Sequence, residues 1–198
     1  MDQDLDLSIL PSAWTGHREF ADWLVRELHP DATVDLGVDY GFSLFALAIP
    51  QIGTVYGIDS FDAWGSNESG GGHHPDNYET VARFKAQHGF DNITVIRGYF
   101  SDVVKTWDRS IDILHIDGLH TYDAVKEDWN NWTGFVPETG VVIMHDIESF
   151  ASVRQFYNEI TWPKVYFTHS AGLGVATRNM GLLAKIIKRF PECGRGNM

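Results

Sequence analysis

The feature that most restricts what this chain can fold into is the run from Val34 to Ser43, Val-Asp-Leu-Gly-Val-Asp-Tyr-Gly-Phe-Ser, answered by Val55-Tyr-Gly-Ile-Asp59. An apolar strand, a glycine turn, a helix start, a second strand and a terminal acid, in that order, predict a nucleoside site in a doubly wound α/β fold. Gly37 and Gly41 let backbone approach a ligand, and Asp59, followed by Ser60, stands where an acid takes ribose hydroxyls.

Charge narrows the choice of nucleoside. A dinucleotide lays its pyrophosphate over this turn, but the full G-x-G-x-x-G pattern is missing, and Asp35 and Asp39 stand where phosphate would sit. Two carboxylates repel it. S-adenosylmethionine has no phosphate and carries an ammonium and a sulfonium, which an acidic turn suits. The residues therefore point to methyl transfer, with a nicotinamide-dependent oxidoreductase as the competing enzyme reading. A cofactor-binding scaffold without turnover is the competing reading from outside enzymes.

The order of elements extends the α/β reading. Phe20, Trp23, Leu24 and Leu28 recur at helical spacing over 16–28, and His29-Pro30 ends that helix. Strand-like runs at 33–38, 54–59, 93–97, 111–117 and 141–146 then alternate with helical patterns at 78–88, 122–133 and 153–160. This alternation predicts a parallel sheet with helices on both faces. Runs at 164–169 and 174–177 predict a closing hairpin and a seven-stranded sheet. Residues 182–190 predict a helix whose apolar face serves packing or a homodimer. One stretch breaks the rhythm: residues 62–77, rich in Gly and Ser with His73 and His74, follow Asp59 at the ligand edge and read as a lid-like loop.

At 198 residues and 43% hydrophobic content the chain suits one domain, 1–198, with an N-terminal helical segment over 1–30 and a helix and tail over 179–198. A formal net charge of −12 argues against a nucleic-acid partner and makes a small neutral or cationic substrate easier to accept. The acidic first residues and the lack of a membrane-length apolar run predict a cytoplasmic protein without membrane attachment. A single cysteine, Cys193, excludes an internal disulfide and reads as an incidental tail residue.

The chemistry is expected where polar residues gather at the carboxyl ends of two neighbouring strands, in Asp112-Ile-Leu-His-Ile-Asp-Gly-Leu-His-Thr-Tyr122 and Val142-Ile-Met-His-Asp146. Asp117, His145 and Asp146 make a credible divalent-cation set, their carboxylates favouring Mg²⁺ or Ca²⁺ and the imidazole tolerating Mn²⁺. Such an ion lowers the pKa of a bound hydroxyl. His120 or His145 is the alternative, acting directly as general base. His115, inside a strand, reads as a hydrogen-bonded core histidine.

These motifs, Asp35-x-Gly37-x-x-x-Gly41-x-Ser43, Ile116-Asp-Gly-Leu-His-Thr-Tyr122, His145-Asp146 and Gly172-Leu-Gly174, resemble the class I S-adenosylmethionine-dependent methyltransferases over residues 30–178. The chain is similar to the branch that includes macrocin-type sugar and antibiotic O-methyltransferases. The resemblance implies a Rossmann-like sheet and a small hydroxylated acceptor such as a sugar or sugar-bearing natural product. It implies that Asp35, Gly37 and Ser43 surround the methionine part, Asp59 binds ribose, and Ser101-Asp102 lie by the adenine. It also implies that Asp117, His145 and Asp146 hold Mg²⁺ or Mn²⁺. The chain departs from the pattern in having His145 where metal-dependent relatives carry a first acid.

Overall fold

The computed structural model describes residues 5–62 and 77–196. The first strand β1, Ala32–Leu36, is buried along its whole length and pairs in parallel with β2, Thr54–Asp59. Strand β3, Ile93–Arg97, extends the sheet beyond β2, while β4, Ile113–Ile116, lies on the other side of β1, and β5, Val141–His145, beyond β4. All these pairings are parallel, as expected when helices cross between strands and cover both faces. Beyond β5 the direction reverses: β7, Leu173–Thr177, runs antiparallel to β5 and to β6, Lys164–Phe167.

Two apolar layers hold this sheet. On one face Val55, Ile113, Val141 and Ile143 pack with α1 (Arg18–Leu28), α2 (Phe42–Ala48), α3 (Asn77–His88) and the later helix α7 (Met180–Arg189). On the other, Val34, Leu36, Ile58, Leu114 and Met144 pack with the short α4 (Phe100–Val103), α5 (Tyr122–Trp132) and α6 (Ala151–Glu159). Thr121 caps α5 as a side-chain acceptor from the Ala124 N–H at 3.3 Å. Among the described residues no helix is long and apolar enough to cross a membrane.

Three details differ from the sequence reading. The helix expected over 16–28 is a 3₁₀ turn, Ala13–His17, followed by α1, because Ser12 accepts the Trp14 N–H and tightens the first turn. Strand β4 starts at Ile113 and not at residue 111: the Asp112 carboxylate turns aside to accept the N–H groups of Asp31 and Ala32 at 2.9 and 3.1 Å. The sheet has eight strands among the described residues, since Gly194–Arg195 form β8, antiparallel to β6. Cys193, just before β8, is buried at the edge of the core. The apolar face of α7 that suggested a dimer is spent inside the chain: Leu182, Leu183 and Ile186 are buried, and Phe190 meets Phe20, Trp23 and Phe167.

Candidate active site

The strand order β3-β2-β1-β4-β5 changes direction of winding between β1 and β4, and ligands in open α/β sheets bind outside the carboxyl ends at such a point. A cavity of about 640 Å³ lies there, within the size range of sites for small molecules and cofactors. Its walls come from the glycine turn after β1, Asp59-Ser60 after β2, the Gly98–Ser101 loop after β3, the 117–120 segment after β4 and His145-Asp146 after β5.

Gly37 is required where β1 and β4 converge. Its φ is +99°, and a Cβ there would lie 1.9 Å from the Asp117 carbonyl oxygen. The turn is then clamped by Asp59, whose carboxylate accepts the backbone N–H groups of Val38 (2.9 Å), Asp39 (3.0 Å) and Phe61 (2.8 Å). A carboxylate offers about four acceptor sites, so one remains toward the cavity that Asp59 lines. Asp39, Phe61 and Asp146 all have left-handed backbone, with φ of 45°, 52° and 62°. Non-glycine residues held this way cluster at functional sites.

Under the floor runs a buried polar chain. Register sets Asp35 beside His115, and His115 Nδ1 lies 2.6 Å from Asp35 Oδ1 while both side chains are fully buried. Trp14 Nε1–H, which can only donate, reaches His115 Nε2 at 3.1 Å. Nε2 is therefore the acceptor and Nδ1–H donates to Asp35, whose other oxygen accepts the Ser43 hydroxyl at 2.9 Å. Burial raises the Asp35 pKa, and His115 and Ser43 oppose that rise.

Four side chains converge on the cavity floor. His120 Nε2 lies 2.8 Å from Asp146 Oδ2 and 3.5 Å from Asp117 Oδ1, and its ring stacks on Phe150 at 4.2 Å, nearly parallel. His145 Nδ1 lies 3.3 Å from Asp117 Oδ2 and 3.4 Å from Asp146 Oδ2. Burial opposes a charge on either imidazole, but the facing carboxylates overcome it and hold both pKa values up to about 10. Burial likewise works against an ionised Asp117, and His145 and His120 outweigh it, leaving its carboxyl below the ordinary range. Ligand atoms of Asp117, His120 and Asp146 all lie within 4.8 Å of one another. Two carboxylates and imidazole nitrogens so arranged fit a divalent cation.

Residues 34–147, more than half of the chain, match the methyltransferase domain family. The chain belongs to that family. This methyltransferase domain is also 31% identical over 171 residues to the uncharacterized protein y4gI of Sinorhizobium fredii. The match covers 83% of the chain but only 19% of that relative, so the chain spans about a fifth of its length. Solved structures share its fold: a Staphylococcus aureus protein assigned as a caffeoyl-CoA O-methyltransferase (TM-score 0.68, 13% identity, 86% of each chain) and the O-methyltransferase NovP (0.65, 17%, 82% of this chain and 78% of that one). The O-methyltransferase TomG of Streptomyces achromogenes, solved with S-adenosylmethionine, matches at 0.61 and 17% identity, over 83% of this chain and 86% of that one.

In this methyltransferase domain Gly37, Asp59, Ser60, Ser101, Asp117, His120, His145 and Asp146 line the cavity. Asp35 and Ser43 lie beneath it, bonded to each other, with Asp35 also bonded to His115, and Gly41 caps α2 behind the turn. Asp102 sits on the exposed surface in an ion pair with Lys105 at 2.7 Å, because the one turn of α4 carries it outward while Ser101 faces in. Of the lid-like stretch, 63–76 lies outside the described residues, including His73 and His74. Its described ends meet the site: Tyr99 donates to Asp62 at 2.8 Å and Asn77 to Asp39 at 2.7 Å.

The sequence reading missed two walls. Ser12 and Ala13 reach the cavity from the N-terminal turn, and Glu127 and Asp128 reach it from α5. Ala124, Glu127 and Asp128 stand at i, i+3 and i+4, so a second stripe beside the apolar one was legible on that helix. Burial, aided by Glu127, pushes the Asp128 carboxyl up to about 7. Ser12 and Ala13 left no local signal, since only long-range packing through Trp14 brings them in.

Proposed function

We propose that the chain transfers the methyl group of S-adenosylmethionine to a hydroxyl oxygen of a small neutral or cationic acceptor, of the sugar or sugar-bearing kind that the resemblance to macrocin-type O-methyltransferases implies. The observation that carries this reading is the Asp117–His120–His145–Asp146 cluster on the floor of the switch-point cavity, beside a glycine turn clamped by Asp59. The charge of the cavity supports it. Asp39, Asp59, Asp117, Glu127, Asp128 and Asp146 line the site, with no Lys or Arg among the described lining residues. Residues 63–76 contain none either. A pyrophosphate would meet these carboxylates, and the two imidazoles of the cavity already face Asp117 and Asp146, which disfavours a nicotinamide dinucleotide.

In this mechanism the turn at 37–40 holds the methionine end, the free acceptor site of Asp59 takes a ribose hydroxyl, and the Tyr99–Ser101 loop flanks the adenine. The acceptor hydroxyl lies over the cluster, in line with the methyl group. Its oxygen forms the new O–C bond as the S–C bond breaks, the electron pair returns to sulfur, and the hydroxyl proton passes to the His120 ring once that ring has given up its own proton, so the rate rises as pH approaches about 10. Asp117, His145 and Asp146 would hold a divalent ion, which when bound lowers the pKa of a hydroxyl and orients it. Phe150 keeps the His120 ring fixed by stacking.

The test is methyl transfer from isotope-labelled S-adenosylmethionine to three sugars of one shape and different charge: methyl glucosaminide, methyl glucoside and methyl glucuronide. The account expects kcat/KM for the cation and the neutral compound to exceed that for the anion by at least about tenfold, at ~1.4 kcal/mol per decade. Transfer to the anion at equal or higher efficiency overturns the acceptor class.

A further inference from the structure

The β6–β7 turn contains three consecutive residues with left-handed backbone: Ser170 at φ 48°, Ala171 at 66° and Gly172 at 85°. Such a run is costly for L-residues, of order 1 kcal/mol for each one that is not glycine. Its neighbours hold it in place. Gly172 N–H donates to the His169 carbonyl at 2.8 Å, Glu148 N–H to the Ala171 carbonyl at 2.9 Å, and Gly16 N–H to Ser170 Oγ at 3.1 Å. A Cβ at position 172 would meet Glu148 Cγ at 2.5 Å, so glycine is needed there.

The turn presents the Ser170 carbonyl to two imidazoles. His145 Nε2 lies 3.0 Å from it and His17 Nε2 3.1 Å. A carbonyl only accepts, so each Nε2 carries a hydrogen. For His145 this leaves Nδ1 as the nitrogen that faces Asp117 and Asp146, at 3.3 and 3.4 Å. The pairing of β5 with β7, which sets His145 opposite Leu173, brings the turn to that ring. The ring is 4% exposed and cannot turn over without giving up the bond to Ser170. Outer partners of this kind fix the tautomer and direction of ligating histidines.

We propose that the β6–β7 turn makes His145 an Nδ1 metal ligand, and that the resulting site selects a first-row transition ion such as Mn²⁺ or Co²⁺ over Mg²⁺. Mg²⁺ takes oxygen ligands in near-ideal octahedral geometry, whereas imidazole nitrogen suits the later ions. Replacing one carboxylate of an all-oxygen set by a directed imidazole moves preference toward them. Ser170 is a positioning residue in this scheme, acting through its backbone, and Gly172 keeps that backbone in shape. The inference rests on the methyltransferase reading only for the purpose of the ion, and its test does not require turnover.

The experiment is calorimetric titration of the metal-stripped protein with Mn²⁺, Co²⁺ and Mg²⁺, beside pulsed electron paramagnetic resonance of the Mn²⁺ form. Wild type, His120→Gln, His145→Asp in the His120→Gln background and Gly172→Ala are compared, with thermal melting to establish that each is folded. Wild type is expected to bind Mn²⁺ at least roughly tenfold more tightly than Mg²⁺ and to show ¹⁴N coupling. His120→Gln, which removes the other imidazole of the cluster, is expected to keep that coupling, His145→Asp in that background to lose it together with most of the preference, and Gly172→Ala to weaken Mn²⁺ more than Mg²⁺. Equal or tighter Mg²⁺ binding by wild type, loss of the ¹⁴N coupling in His120→Gln alone, or no metal binding overturns the proposal. S-adenosylhomocysteine is titrated into the same samples. Binding of the nucleoside without metal discards this inference alone, and failure of both discards the methyltransferase reading as well.

Discussion

Replacing Gly37 by alanine adds one methyl group at the point where two strands and the proposed cofactor site meet. The new Cβ would start 1.9 Å from the Asp117 carbonyl oxygen and 2.6 Å from its carbonyl carbon, both backbone atoms that no rotamer change can move. Ordinary contact begins near 3.4 Å, so the end of β4 must retreat by about 1.5 Å. Left-handed backbone at φ +99° adds about 1–2 kcal/mol for alanine, and overpacking of this kind costs about 1–3 kcal/mol more. The expected loss of stability is therefore about 2–5 kcal/mol, read from the midpoint of urea denaturation at unchanged slope. Function should fall further than stability explains. Asp117 moves with its carbonyl, and a displacement of about 1 Å at reacting groups can cost on the order of 100-fold in rate. Affinity for S-adenosylhomocysteine, measured below the denaturation midpoint, should fall by at least about tenfold. A Gly37→Ala protein with an unchanged midpoint and nucleoside affinity within twofold of wild type would refute this reasoning.

Other expectations follow from single contacts. Lys164 is buried and donates to the carbonyls of Tyr157, Asn158 and Ile160 at 2.7–2.9 Å, closing the end of α6. Lys164→Met should cost about 2–4 kcal/mol in urea denaturation, because it orphans buried carbonyls; a change under about 0.5 kcal/mol contradicts that role. Trp14→Phe removes the donor to His115 Nε2 and should cost about 1–3 kcal/mol, with imidazole NMR signals reporting a changed His115 tautomer. Asp128 has a folded pKa raised to about 7 by burial and Glu127, so the stability it contributes is full below the unfolded value near 3.8 and is lost as pH rises through about 7. Asp128→Asn should remove this decline between pH 4 and 7, which a series of thermal melts would show.

The fold was legible where the signal was local. The five parallel strands announce themselves as apolar runs because both sheet faces are covered, and the glycine turn and the acids at strand ends place the cavity between β1 and β4. What stayed hidden depended on distant partners. Asp35 reads as a residue of the ligand-binding turn, and only the register with His115, 80 positions away, shows that it is consumed beneath the floor. Asp59 reads as a ribose acid, yet most of its acceptor capacity holds the turn itself. Strand β8 is two residues long and carries no alternation, so nothing in its sequence marks it. His120 and His145 were both visible as candidates. The division of labour proposed for them was not, because it rests on a carbonyl in the β6–β7 turn.

The most direct test of the central claim is calorimetric titration of S-adenosylhomocysteine into the purified chain, with NAD⁺ as the comparison. The account predicts one saturable site of micromolar affinity, on the order of −8 kcal/mol, weakened by Asp59→Ala and unaffected by NAD⁺. No heat with the nucleoside, or NAD⁺ bound in its place, would contradict it.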